Sequence, residues 1–312
     1  MVVDIAFGGD KARASTTGRS VALGAYVAGA PWKPAEIDGF SSMIGTPPSV
    51  VMWYQDWAHS GVKEFDPQKM DTVSSCGAMP MVTWEPWDYL GKANQPYYSL
   101  QSINAGKHDA HIRQWARDAT AWGKPFYLRF AHEMNGNWNS WSPGVNGNIA
   151  SQYVSVWRRV RGIFGQEGAT NVRWVWSPNV ESDSSVPFSK VYPGDAHVDW
   201  IGIDGYNWGT TQSWSSWTGL AEVFGLSYGK LVDLTDKPIM IAETASTELG
   251  GDKAAWIRQG FLDEVLFRLP RVRAIIYFHE NKETDWRVDS SPASLAAYSE
   301  MAASSFYQGR LP

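Results

Sequence analysis

The chain has 312 residues and a formal net charge of −5, and its 27 Lys and Arg residues are scattered without runs. This charge distribution argues against a nucleic-acid-binding surface and a basic membrane-binding patch, so we expect neither partner. No apolar stretch approaches the roughly 18 residues that a membrane-spanning helix needs.

The N-terminal segment 1–18 is interpreted as an extension of a single domain that occupies the chain, 1–312. It lacks the charged and apolar regions of a secretory signal. It therefore fits either a cytoplasmic protein or a mature chain from which a signal has been removed.

Short runs of β-branched and aromatic residues alternate with longer segments of helical periodicity. The predicted strands are 21–27, 50–55, 79–84, 125–131, 172–177, 198–203, 238–242 and 273–279. Predicted helices include 108–122, 150–164 and 252–268. Asp66-Pro67 is expected to begin another helix, and Gly162 and Gly165 to end the one over 150–164.

About eight strand–helix units predict an α/β fold, a single (β/α)8 TIM barrel. A doubly wound sheet is the alternative, but no G-x-G-x-x-G motif follows the first strand. Functional residues of such barrels lie at the carboxyl ends of the strands. Those ends carry Tyr26, Gln55-Asp56-Trp57, Trp84-Glu85-Pro86-Trp87, His132-Glu133-Met134-Asn135, Ser177-Pro178-Asn179, Asp204-Gly205-Tyr206-Asn207-Trp208, Glu243-Thr244 and His279-Glu280-Asn281.

Two of these carboxylates, Glu133 and Glu243, follow strands four and seven and are expected to face each other across the barrel mouth. Glycoside hydrolysis uses such a pair, one as acid and one as nucleophile or base. The alternative is a structural network in which each carboxylate pairs with a basic residue such as Arg129.

Aromatic residues are abundant, with 18 Trp, 13 Tyr and 12 Phe, and several stand beside polar residues at strand ends. Flat aromatic rings combined with hydrogen-bonding groups suit a sugar. The expected platforms along an open cleft are Trp84, Trp87, Trp138, Trp141 and Trp208. Glu85 either bonds a sugar hydroxyl or belongs to a structural network.

Metal binding is not expected. The H-E-x-x-H pattern fails at Gly136, and His108 and His111, three apart, are interpreted as part of a solvated helix face. Cys76 stands alone and is interpreted as a small buried apolar residue. No cofactor is implied.

Six motifs together resemble glycoside hydrolase family 26 over residues 22–296, nearly the whole chain. They are RFAHEMNGNWNSW, MPMVTWEPW, VRWVWSPN, DGYNW, IMIAETAS and YFHENKETDWRVDSS. The resemblance implies a retaining enzyme in which Glu133 is the acid/base and Glu243 the nucleophile. It also implies that His132 helps to define the subsite beside the cleaved bond, that Tyr206 contacts the nucleophile and that Trp138 lines that subsite. The remaining candidates in these motifs are Arg129 as a supporting residue and Asn135, His279 and Trp286 as substrate-binding residues.

The chain departs from the mannanase pattern of this family at two places. Trp84-Glu85 stands where many mannanases have Trp-His, and GNWNSW replaces GxWFWW. We therefore expect a retaining endo-β-glycanase that prefers mixed-linkage β-1,3-1,4-glucan. An endo-β-1,4-mannanase and a noncatalytic carbohydrate-binding barrel are the alternatives. With a polysaccharide as its only expected partner, the protein is expected to be a secreted monomer.

Overall fold

The computed structural model describes residues 19–58, 61 and 63–311, so the proposed extension 1–18 lies outside the described residues. Its strands are β1 (Ala22–Val27), β2 (Val50–Asp56), β3 (Met79–Glu85), β4 (Phe126–Phe130), β5 (Val172–Trp176), β6 (Trp200–Asp204), β7 (Ile239–Thr244) and β8 (Val272–His279). Each coincides with a predicted strand to within two residues at either end.

The eight strands form a closed parallel barrel in sequence order. β8 pairs with β1 in a register that sets Ala22 opposite Ala274, and this pairing closes the sheet. Closure confirms the (β/α)8 barrel and excludes the doubly wound sheet, whose edges stay open.

Helices on the outside connect the strands. They are α1 (Pro34–Ile44), α2 (Pro67–Ser75), α3 (Leu100–Asn104), α4 (Asp109–Trp122), α5 (Ala150–Gln166), α6 (Phe188–Val191), α7 (Leu220–Leu234), α8 (Lys253–Gln259), α9 (Val265–Phe267) and α10 (Pro292–Ala303), with a π-helical turn over Gly260–Glu264. Within the described part of the chain, no helix is long and apolar enough to cross a lipid bilayer.

Local signals explain the helix ends. Asp66 caps α2 as expected, since its carboxylate accepts from the backbone N–H groups of Gln68 and Lys69. The α5 helix ends at Gln166, one residue beyond the predicted end at Gly165, whereas Gly162 lies inside the helix. The chain turns instead at Gly168, whose φ of 76° is a conformation that glycine adopts readily.

Side chains alternate between the barrel interior and the helix layer along each strand. The interior is filled by a small cluster of buried residues, which comprises Ala22, Val50, Met52, Met81, Tyr127, Val175, Trp200, Met240, Ala242, Ala274 and Ile276. A larger apolar core lies between the strands and the helices. The interior cluster is the packed floor on which the site at the carboxyl ends rests.

β7 breaks this alternation next to the site. Ile241 pairs with Ile275 of β8, but Thr244 pairs with Tyr277, so β7 has one extra residue at this point. On the other side Asp204 of β6 lies opposite Glu243. Such a bulge re-aims a side chain, and here it turns Glu243 inward, where strict alternation would have pointed it at the helices.

Candidate active site

An open cleft of about 1750 Å³ lies over the carboxyl ends of the strands. It exceeds the roughly 300–1,000 Å³ of ordinary small-molecule pockets. Its lining includes Tyr26, Trp32, Tyr54, Glu85, Trp87, Tyr89, His132, Glu133, Trp138, Asn179, Tyr206, Trp208, Trp214, Glu243, Phe278, Glu280, Lys282, Glu283 and Trp286. Its size and aromatic walls suit an extended polar ligand.

Glu133 follows β4 in a strained turn. Its φ is 50° and that of Ala131 is 45°, a region that non-glycine residues rarely occupy. The turn is held in place because the backbone N–H of Glu133 donates to the Ser177 carbonyl at 2.7 Å. The resulting conformation carries the carboxyl group of Glu133 into the cleft.

Two donors orient the Glu133 carboxyl group. Asn179 Nδ2 donates to Oε1 at 2.5 Å, and Trp138 Nε1 donates to Oε2 at 2.7 Å. Burial and the negative charge of Glu243 nevertheless raise the pKa of Glu133 to about 7. This carboxyl group therefore retains a proton near neutral pH.

Glu243 lies in the opposite electrostatic environment. Arg129 donates to its Oε1, and the Tyr206 hydroxyl donates to its Oε2 at 2.6 Å. Burial alone would raise the pKa of Glu243, but the adjacent Arg129 guanidinium and the Tyr206 hydrogen bond lower it below its usual value. Glu243 is therefore ionised across the neutral range.

Arg129 points into the barrel from β4 and is fully buried. Its Nη1 donates to both carboxylate oxygens of Asp204, at 3.0 and 2.9 Å, while Nη2 donates to Glu243. Burial disfavours its charge, but the two carboxylates outweigh that effect and raise the pKa of Arg129. The alternative prediction was a structural network in which each carboxylate pairs with a basic residue. It holds for Glu243, which pairs with Arg129. Glu133 is not bonded to any basic side chain among the described residues.

His132 lies between two carboxyl groups. Its Nε2 is 4.0 Å from Glu243 Oε1, and its Nδ1 is 3.8 Å from Glu85 Oε1. Burial and the Arg129 charge lower the pKa of His132 to about 3, so the ring is neutral at working pH.

Glu85 ends β3 and faces the cleft. It accepts a bond from Trp87 Nε1 at 3.3 Å, and burial raises its pKa to about 8. It is thus a second protonated carboxyl group near neutral pH, beside His132.

Three of the five predicted aromatic platforms line the cleft. Trp138 is 48% exposed and lines the cleft, as do the half-buried Trp87 and Trp208. Trp286 also lines it but is almost fully buried, with its ring against those of Tyr206 and Trp208.

Two predicted platforms are wrong. Trp84 is fully buried because it points from β3 into the helix layer, where it packs on Trp57 and Trp115. Trp141 is also fully buried, and its Nε1 donates to the His132 carbonyl at 2.6 Å. Neither ring is available to stack on a sugar.

The structure also contradicts the predictions that His279 and Asn135 bind the substrate. His279 points outward from β8, where its Nδ1 accepts from the Val288 backbone N–H at 3.1 Å, while its neighbour Phe278 lines the cleft. Asn135 is buried and exchanges two hydrogen bonds with the Asn179 backbone, at 2.8 and 2.9 Å. It supports Asn179 and does not itself face the ligand space.

Sequence reasoning missed several cleft residues. Asn179 is one of them, and its position in the SPN motif at the carboxyl end of a strand could have indicated a site residue. Trp32, Tyr89 and Trp214 line the cleft and are 55%, 51% and 71% exposed. They lie on loops well beyond the strand ends, where nothing in the sequence indicates the direction of the side chain.

His108 and His111 do not form a solvated helix face. His108 Nε2 bonds the Tyr97 carbonyl at 2.9 Å, and both rings pack on Trp57. Burial lowers the pKa of His111 to about 4. Across the described residues, no group of three or more His, Cys, Asp or Glu side chains is arranged to hold a metal ion.

The sequence is similar to one protein family and to several known enzymes. The family model described as "Glycosyl hydrolase family 26" matches residues 99–240. Endoglucanase H of Acetivibrio thermocellus is 40% identical over 284 residues, which are 89% of this chain but 30% of that protein. A mannan endo-1,4-beta-mannosidase of Bacillus subtilis is 27% identical over 60% of this chain and 44% of its own length. The chain thus spans less than half of either relative.

Solved structures agree on the fold. The catalytic domain of a GH26 endo-beta-1,4-mannanase from Bacillus sp. JAMB-750 has a TM-score of 0.69 at 17% identity, covering 93% of this chain and 88% of that one. The mannanase BCman of Bacillus subtilis has a TM-score of 0.66 at 20% identity, with coverages of 94% and 88%. These structures share the barrel fold of this chain, and the family model and the sequence relatives show that the chain is similar to glycosyl hydrolase family 26 over the matched residues.

Proposed function

We propose that this protein is a retaining endo-β-glycanase in which Glu133 is the acid/base and Glu243 the nucleophile. The observation that carries the proposal is the opposite protonation of the two carboxyl groups in one cleft. Burial and the charge of Glu243 raise the pKa of Glu133 to about 7, whereas Arg129 and Tyr206 keep Glu243 ionised. Double displacement requires this pair of states at the start of the reaction.

In the first step, Glu133 transfers its proton to the glycosidic oxygen as the bond from that oxygen to the anomeric carbon breaks. The Glu243 carboxylate attacks the anomeric carbon and forms a glycosyl ester. Tyr206 and Arg129 hold Glu243 through separate carboxylate oxygens, which restricts its rotation before attack.

In the second step, the ionised Glu133 takes a proton from water as the water oxygen attacks the anomeric carbon. The ester bond breaks, Glu243 leaves as a carboxylate, and Glu133 is protonated again. His132 is neutral and therefore acts as a hydrogen-bonding group without a charge beside the reacting centre.

We propose mixed-linkage β-1,3-1,4-glucan as the preferred substrate. Endoglucanase H matches most of this chain at 40% identity, and its name describes a glucanase. Glu85, where the mannanase pattern has His, points the same way. Mannan is the second candidate, because mannanases are among both the sequence relatives and the structural neighbours.

The substrate proposal is tested by kcat/KM on barley-type β-glucan, galactomannan, glucomannan and β-1,3-xylan under one set of conditions. We expect β-glucan to give the highest value, and a higher value on galactomannan would refute the preference. The matched variant is Glu85→His. In this variant the ratio of kcat/KM on galactomannan to kcat/KM on β-glucan should rise by about tenfold, or about 1.4 kcal/mol.

The mechanism is tested by the configuration of the first product. Proton NMR at early times should show a β anomer, because two inversions restore the starting configuration. Glu133→Ala should keep slow turnover on substrates with good leaving groups and should be accelerated by azide. An α-configured first product would remove Glu243 from the nucleophile role.

The alternative from another class, a noncatalytic sugar-binding barrel, predicts no release of reducing ends from any of the four polymers. Polysaccharides do not enter cells readily, so the proposed activity also implies a secreted protein. A reducing-sugar assay on the purified chain separates catalysis from binding alone.

A further inference from the structure

Lys253 is a charged side chain that the proposed chemistry does not use. It is the first residue of α8 and is fully buried. A cation there faces the positive end of the helix dipole, and burying an ammonium group costs several kcal/mol unless hydrogen bonds compensate. Neither helix propensity nor apolar packing explains a lysine at this position.

The ammonium group is enclosed by oxygen atoms of one loop, the β8–α10 loop (residues 280–291). Lys253 Nζ donates to three consecutive backbone carbonyls, those of Arg287 at 2.7 Å, Trp286 at 3.2 Å and Asp285 at 3.4 Å. It also donates to Ser290 Oγ at 2.8 Å. Backbone carbonyls that converge on one positive centre also occur in loops that bind calcium.

A partly buried carboxylate, that of Glu248, lies behind this cage. The hydroxyls of Ser290 and Ser294 donate to Glu248 Oε1 at 2.8 and 2.7 Å. Ser290 thus bridges the Lys253 ammonium and the Glu248 carboxylate. Burial lowers the pKa of Lys253 to about 8, while Glu248, Asp285 and Asp289 oppose that effect, so the group is charged at neutral pH.

The loop held in this way forms one wall of the cleft. Glu280, Lys282, Glu283 and Trp286 all line it. The Trp286 ring packs on Tyr206 with 5.1 Å between ring centroids. Tyr206 in turn donates to Glu243.

We propose that Lys253 is a positioning residue whose ammonium group serves as an internal cation, fixing the β8–α10 loop and, through Trp286, the Tyr206 hydroxyl on Glu243. Without the ammonium, the carbonyls of Asp285 and Trp286 lose this donor, while that of Arg287 keeps only the Ser290 backbone N–H at 3.3 Å. An unpaired polar group that is shielded from water is costly. The loop then moves away from the cage and Trp286 no longer confines Tyr206. The catalytic part of this inference rests on the proposed function.

The first test is Lys253→Met, which keeps the apolar stem and removes the donors. We expect kcat to fall roughly tenfold to a hundredfold, with KM changing less than about threefold, since the effect acts on the nucleophile. The acid limb of the pH profile should move to higher pH, because the Tyr206 hydrogen bond favours ionised Glu243. Lys190→Met, at an exposed lysine on α6, is the matched control and should behave as the unsubstituted protein.

The second test is chemical rescue of Lys253→Ala. Propylammonium supplies the three missing carbons and the ammonium group, so it should restore activity in a saturable way. Tetramethylammonium has the charge but no N–H donors and should not restore it. Equal stimulation by both ions, or an unchanged acid limb in Lys253→Met, would overturn the proposal.

If the Lys253 variants fail to fold, Ser290→Ala removes one oxygen of the cage and leaves the ammonium in place. It should shift the acid limb in the same direction by a smaller amount, and an unshifted limb would count against the proposal. Hydrogen exchange of amides 282–288 should accelerate in these variants while that of α4 does not. Hydrogen exchange can be measured in an inactive protein. If the unsubstituted chain were inactive but loop exchange still accelerated in the variants, the proposed function would be refuted. The role of Lys253 in holding the loop would stand.

Discussion

The two carboxyl groups of the cleft differ because of their neighbours. Glu133 is half-buried, receives two uncharged donors and faces the negative charge of Glu243. Glu243 has the guanidinium of Arg129 against one oxygen and the Tyr206 hydroxyl against the other. The same residue type therefore has a raised pKa at one position and a lowered pKa at the other.

The pH profile of kcat/KM should follow from these values. The alkaline limb should lie near pH 7, where Glu133 loses its proton, and the acid limb should lie below pH 4.5, where Glu243 gains one. Glu133→Gln, assayed with an activated substrate, should abolish the alkaline limb. Because burial raises the pKa of Glu85 to about 8, Glu85→Gln is the control, and it should leave the limb near pH 7 in place.

Tyr206→Phe should lower kcat by roughly tenfold to a thousandfold, the range for losing one oriented hydrogen-bond donor. The loss of the donor should also raise the pKa of Glu243 and move the acid limb upward. A circular-dichroism melt checks that the fold is retained. Unchanged kcat with a normal melt would leave Tyr206 as a packing residue only.

At the scale of elements, the turn after β4 sets the position of Trp138. A Cβ atom added at Gly136 would lie 2.4 Å from the Trp138 ring, well inside van der Waals contact. A larger residue at this position therefore requires the indole of Trp138 to move. The turn also contains the positive φ angles of Ala131 and Glu133, which non-glycine residues rarely adopt.

Gly136→Ala should displace Trp138 and remove its hydrogen bond to Glu133. Because that bond lowers the pKa of Glu133, its loss should move the alkaline limb to higher pH. We expect kcat/KM to fall by about tenfold, or about 1.4 kcal/mol. Trp138→Phe should reproduce the pH shift. If Gly136→Ala lowered activity without this shift, the close approach would serve folding alone.

For the whole molecule, raised carboxyl pKa values are a cost to stability. The folded state holds protons on Glu133 up to about pH 7 and on Glu85 up to about pH 8, whereas both groups release them near pH 4.5 when unfolded. The folded state thus binds more protons over this interval, and the free energy of unfolding falls as pH rises through it.

The melting temperature of Glu133→Gln relative to the unsubstituted protein should therefore increase between pH 4.5 and 7 and level off above pH 7. The pH-dependent part of the difference is the measured quantity, since Gln also changes the hydrogen bonds to Asn179 and Trp138. We expect a gain of a few degrees over this interval. A difference that stayed constant with pH would contradict the raised pKa of Glu133.

The sequence by itself determined the barrel, because eight strand patterns alternate with helical ones and polar residues end every strand. It also determined which residue types the site would hold, since Glu133, Glu243, His132 and Tyr206 fall at those ends. Local patterns suffice for such features because strand periodicity and turn chemistry are properties of neighbouring residues.

Only the tertiary structure decided which side chains face the cleft. Trp84 and His279 point to the helix layer while Glu85 and Phe278 point inward, because adjacent residues of a strand face opposite sides. Glu243 faces the cleft because of the bulge in β7, and its charge depends on Arg129, 114 residues away in sequence. The pairing of distant strands in the closed barrel sets which of the two alternating sides faces the interior, where the bulge in β7 falls and which charges meet. For that reason sequence patterns did not reveal these features.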